Sequence, residues 1–382
     1  GWLPLALEQA SAFIETSGRP MSHYLKLFKK RQRELMQSGT PSTEYHGTVA
    51  TTWGISFQKL EEEHAAAAEL LRLSAFFAPD DIPLNMITAS AEELPESLAA
   101  TAIDSFSFDG ALIALRKYSL IEIEDEKLSI HRLVQAVIRH AMSEEEFKRW
   151  TGVAVHIVNA SFPSYSDDVR TWPVCAALLP HALVALSYAE ALQFNSNETA
   201  RLLNQIGLYL EARAEYAQAK KMYERALAID EAALGPDHPN VAIRLNNLGL
   251  VLKEQGDLAG AKALFERTLA IDEAALGPNH PNVARGLNNL GSTLQLQGEL
   301  EDAKALFERA LAIDEAALGF DHPDVAIDLN NLGGVLRAQG DLAGAKALFE
   351  RALQIFQNFL GAQHPNTKIV QKNLNSINQV LD

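Results

Sequence analysis

The chain has 382 residues, 47 % of them hydrophobic and 21 % charged, an ordinary globular mixture that excludes a disordered or fibrous protein. Acidic residues outnumber basic ones 49 to 33, and the net charge of −16 opposes phosphate backbones, so no nucleic-acid partner is expected. A lone cysteine, Cys175, excludes a disulfide framework and any zinc site built on several cysteines, and it fits a reducing, cytoplasmic setting.

The opening, GWLPLALEQASA, has no basic leader and no initiating methionine, which points to a piece of something longer rather than to a secretory signal. Residues 1–60 read as helices punctuated by loops at Gly18 and Ser38. Leu60 to Phe77 predicts one helix with Leu70, Leu71, Leu73 and Phe76 on its apolar side. APDDIP from Ala78 predicts a turn, and Asp109 to Tyr118 a second helix. Ile121 and Ile123, then Leu128 and Ile130, alternate around an acidic turn and predict a hairpin. HRLVQAVIRHAM then carries a helical stripe. Helices, hairpin and packed helix make residues 61–145 a small winged-helix module. Glu61 to Glu63 and Glu144 to Glu146 read as solvated helix starts. Residues 146–203 read as a helical connector kinked at Pro173 and Pro180. Its most apolar stretch, Pro173 to Leu192, contains Pro180 and His181 and suits buried helices, so no membrane partner is expected. Cys175 reads as a small buried residue.

From residue 204 to 382 the sequence is periodic. LGPDHP at Leu234, LGPNHP at Leu276, LGFDHP at Leu318 and LGAQHP at Leu360 recur every 42 residues, with NNLG and AKALFER between them. Four such units plus a capping helix predict an all-α solenoid of stacked helix pairs. Pro239, Pro281 and Pro323 sit where a first helical turn needs no N–H. Gly256, Gly298 and Gly340 suit the left-handed residue that ends a helix, and Asp257, Glu299 and Asp341 suit the start of the next. Gly249, Gly291 and Gly333, with Ala261, Ala303 and Ala345, let the paired helices approach, while Phe265, Phe307 and Phe349 fill the space beside them. His238, His280, His322 and His364 recur once per unit; spaced rather than clustered, they read as capping or structural residues, and no metal site is expected. Asp230-Glu231, Asp272-Glu273 and Asp314-Glu315 recur likewise and read as structural or surface pairs.

Leu248-Gly249, Leu252, Ala261 and Phe265 resemble the tetratricopeptide repeat signature, and the 42-residue period with LNNLG and LGxxHP is similar to the kinesin light chain variety. Gly1-Trp2-Leu3-Pro4-Leu5-Ala6 resembles the GLPLA motif of the NB-ARC, or STAND, class of signalling ATPases. In that class the motif's proline lies against the adenine, which implies a nucleotide contact at Pro4. The class also carries a histidine at the winged helix that senses phosphates, and His131 in Ile130-His131-Arg132 stands at the matching place, with Arg132 where the class has aspartate. The residues alone leave His131 equally open to a plain corner-capping role. No GxxxxGK[ST] phosphate loop occurs in the sequence. No enzyme activity and no cofactor are therefore expected of these residues, and ADP or ATP would bind only with an upstream nucleotide domain.

The two resemblances imply a sensor region: a repeat groove that binds a protein or peptide trigger, and a winged helix that relays the event to the nucleotide domain. The alternatives are a free-standing kinesin-light-chain-like adaptor and a DNA-binding winged helix. For the latter, the expected groove helix offers only Arg116 and Lys117, and the hairpin tip is acidic. In a tetratricopeptide stack the first helices line the concave side. Among the near-identical units the first helices differ at Leu250/Ser292/Gly334, Lys253/Gln295/Arg337 and Glu254/Leu296/Ala338, which share one face. Asn204, Asn246, Asn288 and Asn330 stand unchanged on that face, and Arg201, Lys253, Arg285 and Arg337 make it basic, suiting a partner with acidic groups. Two uses of the asparagines remain open: a ladder of amides for a peptide backbone, or ties between neighbouring helices.

Overall fold

Apolar side chains at helical spacing set nearly every element, and the computed structural model describes residues 11, 13–15, 17–27, 29 and 55–381. Pro4 and most of the 1–60 segment lie outside the described residues. Contacts divide the chain into two units, Gly1–Gln205 and Ile206–Asp382.

In the first unit the helix expected from Leu60 to Phe77 is two. Helix α1 (55–63) ends at His64, whose φ of −148° and ψ of 75° leave the helical region, and α2 (Ala65–Ser74) follows. The acidic run Glu61 to Glu63 therefore closes a helix instead of opening one. Each carboxylate is engaged: Glu61 by Arg72, Glu62 by Gln58, Glu63 by the Tyr118 hydroxyl at 3.2 Å. After α2 the turn expected at APDDIP contains a short strand, β1 (Ile82–Pro83), followed by α3 (Leu84–Thr88). Helices α4 (Glu96–Ile103) and α5 (Ser105–Lys117) meet at a 114° bend, where Asp104 accepts from the Ser107 N–H at 2.9 Å and caps α5. The hairpin forms as β2 (Glu122–Glu124) and β3 (Lys127–Ser129), with Ile123 opposite Leu128; Asp125 and Glu126, both at positive φ, make its two-residue turn. Strand β1 adds to β3 by pairing Ile82 with Leu128, giving the order β1-β3-β2.

Helix α6 (Arg132–Ala141) holds this unit together through its polar side chains. The Gln135 amide donates to the carbonyls of Ser74 and Phe77 at 2.9 and 3.0 Å, and Arg139 donates to that of Ala75. These carbonyls lie at and just beyond the end of α2, where the regular helical bonding stops; Ser74 also accepts from the Phe77 N–H at 3.4 Å. Helix α7 (Glu144–Ser161) opens with a reciprocal capping box between Ser143 and Glu146. The segment expected as a connector holds most of α7, then α8 (Trp172–Ala191), then the start of a further helix; α8 runs through Pro180 and buries Cys175, Leu178, His181, Ala182, Ala185, Leu186 and Ala189. Phe76, Phe147 and Tyr188 pack edge to face, with centroids 5.1–5.6 Å apart.

The second unit repeats one device. After α9 (Asn197–Ala212), within which the division between units falls, come α10 (Tyr216–Leu234), α11 (Pro239–Glu254), α12 (Leu258–Leu276), α13 (Pro281–Gln297), α14 (Leu300–Leu318), α15 (Pro323–Gln339), α16 (Leu342–Leu360) and α17 (Pro365–Leu381). Within three of the pairs a buried phenylalanine lies on a glycine, and in the first pair Tyr223 lies on Gly207. A Cβ on Gly249, Gly291 or Gly333 would stand 2.7–2.8 Å from a ring carbon of Phe265, Phe307 or Phe349. No side chain fits at these positions while the ring stays. Between paired helices Gly256, Gly298 and Gly340 turn the chain at φ of 82°, 85° and 89°; Ala214 does so at 60° in the first repeat.

Candidate partner-binding face

Caps and ties decide which polar groups a partner could reach. Each repeat histidine stands just before its first helix. Nδ1 of His238, His280, His322 and His364 accepts from the backbone N–H two residues on, at 3.1–3.2 Å. The prolines that follow leave this as the first N–H to satisfy. Among the described residues no group of three or more His, Cys, Asp or Glu is arranged to hold a metal ion.

The asparagine ladder runs between units. Asn289 donates to the Asn246 side-chain oxygen at 2.8 Å, Asn331 to that of Asn288 at 3.2 Å, and Asn373 to that of Asn330 at 2.9 Å. The carbonyl oxygens of Asn246, Asn288 and Asn330 thus serve as helix ties, one of the two uses the sequence leaves open. Asn288 also donates to Asp328. Asn204 is buried.

The basic residues separate into held and exposed. Arg201 belongs to the first unit and is held there by the Asn159 carbonyl and side-chain oxygens at 2.9 and 2.8 Å and by Ser164. Lys253 is half-buried, donates to Ser292 at 3.3 Å, and has its pKa lowered by burial. Arg285 and Arg337 are exposed, the latter also reaching Ser376 at 3.2 Å. Leu250, Ser292 and Gln295 are half-buried between them. Three residues absent from the sequence reading join this face: Ile243, Ile327 and Ile369, 38–54 % exposed, occupy the same repeat position as Arg285. The signal was available, since the row reads Ile, Arg, Ile, Ile at a 42-residue spacing.

The recurring carboxylate pairs divide their labour. Glu231, Glu273 and Glu315 bridge to Arg267, Arg309 and Arg351 of the next second helix at 2.5–2.7 Å. The aspartates beside them face inward. Asp230 is buried against Arg244, with Oδ2 to Nε at 2.9 Å. Asp272 meets no such arginine because residue 286 is glycine, and burial pushes its pKa up. Asp314 meets a second acid, Asp328; burial raises the pair to about 6 and about 8.

In the first unit His131 is exposed and caps α6, its Nδ1 accepting from the Leu133 N–H at 3.2 Å. Cys175 is buried, and burial raises its thiol pKa. His181 is buried with Nε2 at 3.2 Å from the Asp81 carbonyl oxygen, and burial lowers its pKa.

Residues 198–274, 245–316 and 323–375 match the tetratricopeptide repeat family, and residues 55–147 match a domain of unknown function, DUF7779. Over 251 residues the chain is 30 % identical to a nucleotide-binding leucine-rich repeat (NLR)-like protein of Hyaloscypha variabilis; the match takes in 62 % of this chain and 24 % of that protein, so the chain spans about a quarter of its relative's length. Similar solved structures include a Podosopora anserina chain of nearly identical, kinesin-light-chain-type TPR-like repeats, at 23 % identity and a TM-score of 0.42 over 47 % of this chain and 86 % of that one. BtubC (BKLC) from P. vanneervenii is similar at 21 % identity and a TM-score of 0.44, over 75 % of this chain and 95 % of that one. The repeat matches support the tetratricopeptide architecture implied by the sequence, and the NLR-like protein is what the chain resembles over 251 residues. A solenoid of this kind is a non-catalytic fold that mediates protein–protein binding.

Proposed function

We propose that this tetratricopeptide-repeat chain is the sensing and relay region of an NB-ARC-like signalling ATPase. Its first-helix face binds a protein or peptide segment that combines apolar and acidic side chains. Residues 61–145, read as a winged helix, pass the event to an upstream nucleotide-binding domain, which alone would bring ADP or ATP to Pro4 and His131. The setting is cytoplasmic.

The observation that carries the reading is the division of labour on the repeat face. The oxygens of Asn246, Asn288 and Asn330 are spent on ties, while Ile243, Arg285, Ile327 and Arg337 stand exposed, with arginine replacing isoleucine in one unit and Lys253, Gln295 and Arg337 differing at the other position. Constant ties with changing exposed groups suit a rigid surface that selects side chains. Cationic groups on a chain of net charge −16 also favour an acidic partner locally over the chain's own surface.

The test is peptide display against the whole chain, beside a variant carrying Arg285→Ala and Arg337→Ala. Enrichment of sequences with acidic residues flanked by apolar ones, lost in the variant, is the expected result. Enrichment that ignores acidic residues, or that survives the double substitution, removes this face from the function. Sequencing upstream of Gly1 tests the relay: a phosphate loop within the preceding few hundred residues is expected, and its absence favours a free-standing adaptor.

A further inference from the structure

The position that follows each inter-unit aspartate is the most divergent inward-facing one in the solenoid. It reads Arg244, Gly286, Asp328 at a 42-residue spacing. At the first junction it makes an ion pair with Asp230. At the third it places two acids at the positions that Asp230 and Arg244 hold in the first: Asp314 is 4 % exposed and Asp328 is fully buried. Asp314 Oδ1 and Asp328 Oδ2 have no hydrogen-bond partner. Two ionised carboxylates cannot share such a place, whereas an acid and a carboxylate can, through one O–H···O bond.

We propose that the junction between α14 and α15 is a proton-operated joint, closed by a proton that Asp314 and Asp328 share and loosened when that proton leaves. This inference is independent of the partner-binding reading.

The surroundings give the shared proton no substitute. On α15 itself Asp324 adds a further negative charge and lies 3.6 Å from the His322 imidazole at the helix start. From α13 the Asn288 amide donates to Asp328, and its oxygen is tied to Asn331. On α16 Arg351 is committed to Glu315 and to the Phe320 carbonyl. Helix α17 reaches α15 through the Asn373–Asn330 amide bond and through Ser376 to Arg337. Loss of the proton therefore leaves like charges in a dry site, and separation of the helices is the way to hydrate them.

The direction follows from proton counting. An unfolded aspartate titrates at about 3.9, while the joint titrates at about 6 and about 8. The closed state holds more protons than the open one, so its stability is fully present at low pH and is lost as pH rises through these values. Between pH 6 and 8 one proton separates the states, and the opening equilibrium grows about tenfold per pH unit.

Hydrogen exchange of the whole chain from pH 5.5 to 8.5, corrected for intrinsic amide rates, tests this within one molecule. Protection of α14 and α15 should fall about tenfold per unit between pH 6 and 8, while α11, held to α10 by Asp230–Arg244, keeps its protection. Asp328→Asn retains the Asn288 bond and should abolish the fall. Asp328→Arg, which copies Arg244, should also abolish it, because an Asp314 paired with arginine stays ionised across this range. Parallel protection of α11 and α15 across the range, or a fall that persists in Asp328→Asn, overturns the proposal. If neither variant folds, the wild-type comparison of the two junctions decides alone.

Discussion

The end of α2 in the first unit is finished by different means from the repeat ends of the solenoid. From Ile206 onward most ends are served from close by: a glycine at positive φ, a histidine two residues before the N–H it caps, or an aspartate three before. In the first unit the end of α2 is served from far along the chain, by Gln135 and Arg139, which lie 58–64 residues beyond the carbonyls they reach. The solenoid can thus be assembled from pieces that finish themselves, while the first unit completes α2 only after α6 has docked. This difference gives each unit its own weakest point.

The largest expected effect is at the ring that closes each repeat. Phe307 is fully buried on Gly291, and Phe307→Ala should cost about 3–5 kcal/mol of solenoid stability. Gly291→Ala should cost about 1–3 kcal/mol by overpacking. Adding Phe307→Leu to Gly291→Ala should recover part of that loss, because the smaller side chain vacates the Cβ position. Urea melts followed by circular dichroism check the cycle; full additivity of the two substitutions would remove the ring-on-glycine contact as the cause.

Next comes the distant clasp. Gln135→Ala takes the amide donor from the Phe77 carbonyl and leaves that of Ser74 only the Phe77 N–H at 3.4 Å, and should cost about 1–3 kcal/mol in the first unit. The four tryptophans all precede residue 173, so their fluorescence reports this unit while circular dichroism reports both. The tryptophan transition should shift and the solenoid's should stay. An unchanged tryptophan midpoint would mean that α2 is finished locally after all.

This contrast explains what could be read from the sequence. Repeat length, paired helices, turn glycines and capping histidines were all legible, because each rests on residues a few positions apart. Strand β1 was not: Ile82-Pro83 is two residues long and shows no alternation, and only pairing with Leu128 makes it a strand. The break at His64 was hidden because EEEHAAAA carries no glycine or proline. Spacing put the asparagines, Arg201 and Arg285 on one face, yet it could not say that Asn159 holds Arg201 or that each asparagine oxygen is taken by the next unit. Helical periodicity names the face of a helix; what covers that face is decided by its neighbours. Asp328 shows the same limit, since among near-copies an aspartate reads as surface drift.

A smaller effect belongs to the histidine caps. His280→Ala removes the acceptor for the Asn282 N–H and should cost about 1 kcal/mol. His280→Asn, which can accept the same bond, should restore most of it. Equal losses for both substitutions would assign the histidine's contribution to ring packing instead of to the cap.

The smallest effect is a coupling between two positions three residues apart. Asp257 and Asp341 each accept from the N–H of a glycine, Gly260 and Gly344, at 2.9 Å. Glu299 has nearly the same backbone angles yet makes no cap bond, and reaches Lys262 at 3.2 Å instead. The reason lies at the third residue. A Cβ on Gly260 would stand 2.6 Å from the Asp257 carboxylate, and the α14 equivalent, Asp302, has that Cβ and a negative charge besides. An aspartate cap here thus calls for glycine three residues on, and the glutamate goes with the aspartate. Glu299→Asp alone should therefore change stability little, since it exchanges an exposed ion pair worth about 0–1 kcal/mol for a crowded cap. Asp302→Gly alone should cost about 0.5–1 kcal/mol from helix entropy. Together they should fall short of the summed costs by about 0.5–1 kcal/mol, as the cap forms in α14 as it does in α12 and α16. Urea melts of the two single variants and the double variant measure this directly, and additivity within about 0.3 kcal/mol would show that the glycine and the aspartate act independently.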